Sequence, residues 1–185
     1  MTEKRQAILA AAKSLFSENS YHSTGVDKIA AVSGASKMTL YSQFGSKEQL
    51  IVEVLRLRDE EFIASLRQAM DKASPGLARL AAIFEWHGAW FRQPDFHGCL
   101  FIKASQEFAG QSEPVLAASR AHKSLILGLI ERCLVEAAVQ EPSAQARLLF
   151  TLIEGMIVSA QMFGPDSGML PGWPQIEAIV KGQLH

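Results

Sequence analysis

Thr24-Gly25-Val26-Asp27-Lys28-Ile29-Ala30-Ala31-Val32-Ser33-Gly34-Ala35-Ser36-Lys37-Met38-Thr39-Leu40-Tyr41-Ser42-Gln43-Phe44 is the stretch on which the fold turns. It holds two short helical segments, the first burying Val26, Ile29 and Ala30 and the second with Leu40, Tyr41 and Phe44 apolar. Between them, Ser33-Gly34-Ala35-Ser36 supplies a glycine suited to positive φ and a serine suited to capping. Thr24 is placed to cap the earlier helix, its hydroxyl accepting from an amide one turn in. Two short helices joined by so tight a turn describe a helix-turn-helix unit.

Outward from that unit, helical periodicity continues and strand alternation is almost absent. Residues 3–19 form a first helix with Ile8, Ala11, Ala12, Leu15 and Phe16 as its apolar stripe. Gly45 ends the third helix, and Ser46-Lys47-Glu48-Gln49 reads as a capping box opening a long fourth helix to about residue 73. Ser74-Pro75-Gly76 stops it. Five more segments follow, roughly 76–92, 98–109, 113–140, 143–163 and 173–184. The fold class is all-α with about nine helices: a helix-turn-helix domain over 1–47 and an effector-binding and dimerisation domain over 48–185.

The chain has 185 residues, 48% hydrophobic and 20% charged, with a net charge of -1. A chain of this size and apolar content buries its own core without a disulfide or metal. Cys99 and Cys133 are its only cysteines, which excludes a disulfide scaffold and a four-cysteine zinc site. His97-Gly98-Cys99 is half a metal site at most, and neither cysteine has a neighbouring basic cluster to activate a thiol, so no metal or cofactor is expected. No phosphate loop follows a strand and no nucleophile elbow occurs, so no catalytic residue is assigned and the chain does not read as an enzyme. The N-terminus lacks the apolar core of a signal peptide. The apolar run 148–160 is interrupted by Glu154 and is shorter than the roughly 18 residues of a membrane span, so a cytoplasmic protein is expected. Residues 1–50 carry six basic and four acidic side chains, and the rest carry 12 and 15, so the N-terminal part is +2 and the remainder −3.

The chemistry of the third helix suits DNA. Such a helix enters the major groove with its N-terminal residues nearest the base edges. Ser36, Lys37 and Thr39 stand at that end, followed by Tyr41, Ser42 and Gln43. Lys37 suits a guanine or a phosphate, and Thr39 a base or a thymine methyl. Tyr41 and Ser42 offer hydroxyls for phosphate oxygens. Thr24 and Lys47 sit at helix N-termini, where free amides and the dipole favour an anion.

Residues 5–50, above all Thr24-Gly25-Val26-Asp27-Lys28-Ile29-Ala30 and 36–50, resemble the DNA-binding domain of TetR-type transcriptional regulators. The resemblance implies an all-helical homodimer, usually a repressor, released from a palindromic double-stranded operator by a small molecule. By position, Thr24, Lys37, Thr39, Tyr41 and Lys47 match family DNA contacts. Met38 stands where the family has a small residue, and Ser42-Gln43 replaces the commoner aromatic-His pair. Both departures bear on operator sequence rather than on DNA binding.

Beyond residue 50 the reading is physical. The fifth segment aligns Leu80, Ile83, Phe84, His87, Trp90 and Phe91 on one face. A histidine there is more often a hydrogen-bonded core residue. As a functional alternative, His87 and Trp90 line an effector cavity with Phe101, Ser105, His122 and Ile126, a mostly apolar lining with a few polar groups. No basic cluster is visible near these residues, which disfavours a strongly anionic effector. The eighth segment, with Leu148, Leu149, Leu152, Ile153, Met156, Ile157 and Ala160, is too apolar for one buried face. A homodimer through the eighth and ninth segments (Ile176, Ile179, Val180) accounts for it. The rivals from other classes are an all-α small-molecule binding protein with no DNA role and an α-helical enzyme holding its substrate near His87 and His122.

Overall fold

The computed structural model describes residues 2–182. Among them are nine helices and no strand: α1 Glu3–Glu18, α2 Val26–Ser33, α3 Lys37–Phe44, α4 Lys47–Met70, α5 Leu77–Phe91, α6 Leu100–Glu107, α7 Glu113–Glu136, α8 Pro142–Phe163 and α9 Trp173–Val180. The all-α reading holds, and the differences lie at helix ends. Helix α4 stops three residues before the expected 73, and α7 stops at Glu136 rather than at 140. Helix α9 ends at Val180, and the last two residues of its expected span, 183 and 184, lie outside the described residues. Packing divides the chain into two units, 1–62 with 99–122 and 63–98 with 123–185.

In the first unit, α1, α2 and α3 pack on one another around Ile8, Ala12, Phe16, Ile29 and Leu40, all fully buried. Burying the isoleucine, leucine and phenylalanine side chains contributes about 1.5–3 kcal/mol each. The turn after α2 explains why the chain changes direction there. Gly34 adopts φ 66°, its amide donates to Ala31 O at 3.4 Å, and the Ala35 amide donates to Ala30 O at 3.1 Å. This is a Schellman closure, which requires a left-handed residue just past the helix and so favours glycine.

A polar latch ties α6 to this bundle. The Glu107 carboxylate accepts from the backbone amides of Tyr21 (3.0 Å) and His22 (2.8 Å), the first two residues of the turn before α2. His22 Nε2 in turn donates to the Glu107 carbonyl at 3.0 Å. Tyr21 is fully buried, and its hydroxyl donates to Leu100 O at 3.0 Å while its ring meets Phe16 and Phe108. Burial, with the electrostatic influence of Cys99 and of the Glu107 carboxylate adding, keeps the phenol protonated far above its ordinary range. Lys103 closes the other end of the latch by donating to the Ser17 carbonyl at the end of α1.

In the second unit, α5 packs on α8 and α9. One face of α8 (Ala146, Leu149, Ile153, Met156, Ile157, Ala160) is buried. Between α5 and α6 the chain passes Gly98 at φ 84°, where a Cβ would collide with the Gln161 side-chain amide. Ile176 and Val180 of α9, expected at a two-fold interface, are instead 0% and 6% exposed within the chain's own unit. At 22 residues, α8 is long and apolar enough to cross a membrane by length and composition. The helix extends beyond run 148–160 at both ends, and its buried face is what the core helix of a globular protein also shows. Its Glu154 accepts from Lys123 Nζ at 2.7 Å.

Glu107→Gln presents an NH2 to one of the two amides that now share a carboxylate. An orphaned or mismatched donor of this kind costs about 1–2 kcal/mol. The expected outcome is a lower urea midpoint with an unchanged slope, read by circular dichroism.

Candidate nucleic-acid interface

Helix α3 is held by two inward side chains and a cap. Leu40 and Phe44 are buried, and the Ser36 hydroxyl accepts the Thr39 amide at 3.0 Å. The same hydroxyl lies 2.8 Å from Thr39 Oγ1. Every other side chain is thereby turned outward or half outward. Ser36, Lys37, Met38, Tyr41, Ser42 and Gln43 are exposed and Thr39 is half-buried, forming one polar surface over the first two turns. Lys37 Nζ is 2.9 Å from Asp27 on α2, and that hydrogen bond and charge raise the amine above its usual pKa. Asp27 thus pins the lysine at the mouth of the turn. Ser42 Oγ donates to the Thr39 carbonyl at 2.9 Å.

Lys47, the first residue of α4, is half-buried and lies over the turn before α2, its Nζ 3.5 Å from His22 O. Burial lowers its pKa, and Glu107 works in the opposite direction. Ser46 caps α4 by accepting the Gln49 amide at 3.0 Å, which is half of the expected capping box; the Ser46 amide donates to Phe44 O at 2.9 Å instead of to the Gln49 side chain.

Thr24 departs from its expected place. It is only 1% exposed, and its hydroxyl donates to the Ser20 carbonyl at 2.8 Å. Gly25 occupies the N-cap of α2, with no side-chain cap bond. The hydroxyl closes the preceding turn, so the capping role read from the sequence is corrected.

Two residues not assigned as DNA contacts from the sequence share this surface. Met38 is 81% exposed at the N-terminal end of α3, a large apolar side chain with no place in the core. Lys28 is exposed on α2 and has no ion pair among the described residues. By contrast, Arg5 pairs with Glu53 at 3.1 Å and Lys13 with Glu61 at 2.6 Å. The surplus positive charge of the N-terminal region therefore falls on cations such as Lys28 and Lys47. The signal for Lys28 was available: it is off the Val26, Ile29 and Ala30 face.

The residues expected to line an effector cavity fall in both units. Phe101 stacks on His122 at 3.7 Å in the first unit, and His122 Nδ1 lies 2.7 Å from Asp59 Oδ1. Ser105 is exposed, with its hydroxyl donating to Ile102 O at 2.8 Å, a position on the outside of α6. In the second unit, Ile126 is buried and Trp90 half-buried. His87 is 1% exposed, and its Nδ1–H donates to Ile83 O at 2.8 Å, which matches the core-histidine reading. It sits among Trp86, Trp90 and Phe91. Cys99 and Cys133 are both buried, and burial, with Glu136 adding, pushes the Cys133 thiol up to about 11.

Comparison with known proteins meets this geometry at both ends of the chain. Residues 8–54 match the model of bacterial regulatory proteins of the tetR family, and residues 76–169 match the tetracyclin repressor-like C-terminal domain. The chain is 36% identical over 83 residues to the HTH-type transcriptional activator FasR of Mycolicibacterium smegmatis, covering 45% of this chain and 38% of that protein. It is 37% identical over 86 residues to the HTH-type transcriptional regulator RutR of Escherichia coli, covering 46% and 39%. The chain thus spans about two fifths of the length of these curated relatives. A crystal structure of a TetR-family transcriptional regulator from Streptomyces coelicolor superposes with a TM-score of 0.90 at 26% identity, covering 97% of this chain and 95% of that one.

Ser36→Ala removes the acceptor at the start of α3. Losing such a cap costs about 1 kcal/mol, which lowers the thermal midpoint by about 2–4 °C in a protein of this size. Scanning calorimetry measures it. With the two family models matched over 8–54 and 76–169, the chain belongs to the TetR family of bacterial regulatory proteins.

Proposed function

We propose that the chain is a ligand-responsive, DNA-binding transcriptional regulator, acting as a cytoplasmic homodimer on a palindromic operator. A repressor released by a small molecule is the favoured form. The observation that carries this reading is α3 itself: Leu40 and Phe44 face inward, while Ser36, Lys37, Tyr41, Ser42 and Gln43 face solvent directly after a Schellman turn. In this reading residues 1–47 carry the DNA-binding function, and 48–185 carry effector binding and dimerisation. Lys37, Thr39, Gln43 and Met38 approach base edges. Ser36, Tyr41, Ser42, Lys47 and Lys28 hold phosphates and do not read sequence. Thr24, with its hydroxyl spent on Ser20 O, has a positioning part only. Two copies of α3 on a two-fold axis meet successive major grooves about 34–36 Å apart or somewhat more.

Dimerisation is proposed through the outer face of α8. Leu148, Val158 and Met162 are 56%, 42% and 69% exposed, and they share one stripe with Thr151 and Gly155. Apolar exposure recurring over residues 148–162 of the helix is a surface that water disfavours. The groove beside it, about 390 Å³, runs along Leu152 and Met169. Because Ile176 and Val180 are already buried at home, α9 supports this face more than it forms it. For the effector, the aromatic face of α5 around His87 and Trp90 is the proposed contact. A ligand there changes DNA affinity only by binding one arrangement of the chain better than another.

Tyr41→Ala and Lys47→Ala are each expected to weaken operator binding at least tenfold in fluorescence anisotropy. The slope of log K against log salt should fall by about one for each phosphate contact removed. Unchanged binding in both variants removes the DNA-binding assignment and leaves an all-α ligand-binding protein. Gly155→Arg is expected to convert the dimer into a monomer in sedimentation velocity. The added Cβ meets nothing within 4 Å in the chain itself, so the protomer keeps its helical spectrum.

A further inference from the structure

A second cavity, of about 300 Å³, opens in the second unit where the last turn of α4, the first turn of α5 and the end of α7 converge. Its chemistry differs from that of the aromatic face of α5. Three guanidiniums line it, Arg67 from α4, Arg79 from α5 and Arg132 from α7, over a floor of Met70, Leu129 and Cys133. Two carboxylates, Asp71 and Glu136, also reach the lining, leaving one positive charge in excess.

The distribution of partners decides what that charge is for. Glu136 is committed: it accepts the Gly76 amide at 3.1 Å and Arg79 Nη1 at 3.4 Å. Arg67 and Arg132 make no hydrogen bond or ion pair among the described residues. Arg79 Nε is buried without a hydrogen-bond partner among them. Cys133 adds no competing negative charge, since burial holds its thiol protonated. Two uncommitted guanidiniums, beside a third that is paired with Glu136, line the cavity together with apolar side chains, and guanidinium forks match planar oxyanions.

We infer that this cavity binds a small amphiphilic anion, with a carboxylate or phosphate head against Arg67, Arg79 and Arg132 and a short hydrocarbon portion against Met70, Leu129 and Cys133. The volume sits at the lower end of ligand pockets, which limits the guest to a small molecule. The site lies wholly within one packing unit and holds whether or not the chain binds DNA.

Isothermal titration calorimetry of the full chain with hexanoate, hexanol and inorganic phosphate tests it. Hexanoate is expected to saturate at one molecule per chain, phosphate to bind at least tenfold more weakly, and hexanol to give no saturable heat. Arg67→Gln and Arg132→Gln, both exposed and without partners in the fold, are each expected to weaken hexanoate about tenfold while leaving the thermal midpoint of the free protein unchanged. Absence of saturable hexanoate binding, hexanol binding as tight as hexanoate, or full affinity in both variants overturns the assignment. Phosphate binding as tight as hexanoate overturns its apolar half.

Discussion

The Glu107 carboxylate is the interaction on which the geometry of the N-terminal unit depends. Residues 1–47 are too few to enclose a core alone, because surface outruns volume in so small a bundle. The shortfall is met from elsewhere in the sequence. The carboxylate grips two amides at the turn before α2, and the Tyr21 ring fills the gap beneath, against Phe16 and Phe108. Charge-assisted bonds to backbone amides are directional, so the turn is held in position as well as in place. Lys103 adds a second tether to the Ser17 carbonyl. Helix α6 is thus part of the framework that sets where α2 and α3 start, and any movement of α6 is felt by the helix-turn-helix.

That framework leaves the outer face of α3 little to do in folding. Only Leu40 and Phe44 of α3 are buried, so its remaining side chains are free of packing constraint. The arrangement around Lys37 shows how such a surface is tuned without rebuilding it. Asp27 on the preceding helix holds the amine at 2.9 Å and keeps it charged. The pair is exposed, so it contributes little to stability. Its effect is to aim a long side chain. Met38 completes the surface with an apolar tip suited to methyl groups rather than phosphates.

The second unit divides its tasks by helix face. Helix α8 spends Leu149, Ile153 and Ile157 on the core and turns Leu148, Val158 and Met162 away from it. Helix α8 is thus apolar on two sides, and the chain covers one of them. Helix α5 carries Trp86, His87 and Trp90 as a contiguous aromatic group, with the His87 tautomer set by Ile83 O. The arginine-lined cavity at the far end of α5 is chemically separate, polar where the aromatic face is not.

Much of the helical plan was legible from residue order, because its causes are local. Apolar spacing marked the helices, Gly34 the turn and Ser36 and Ser46 the caps, while Tyr41, grouped by spacing with Leu40 and Phe44, proved exposed. Local pattern also misled where two local solutions compete. Thr24 satisfies Ser20 O rather than an amide of α2, because the buried turn takes the hydroxyl first. What residue order left open are the contacts made at long separation. Glu107 reaches Tyr21 across 86 positions, Arg67, Arg79 and Arg132 come together from three helices, and Ile176 and Val180 find their cover inside the chain. Helical periodicity tells which face is apolar but not what covers it. Only the tertiary packing decides that, since the partner of each face is chosen by three-dimensional fit among many apolar surfaces of equal local merit.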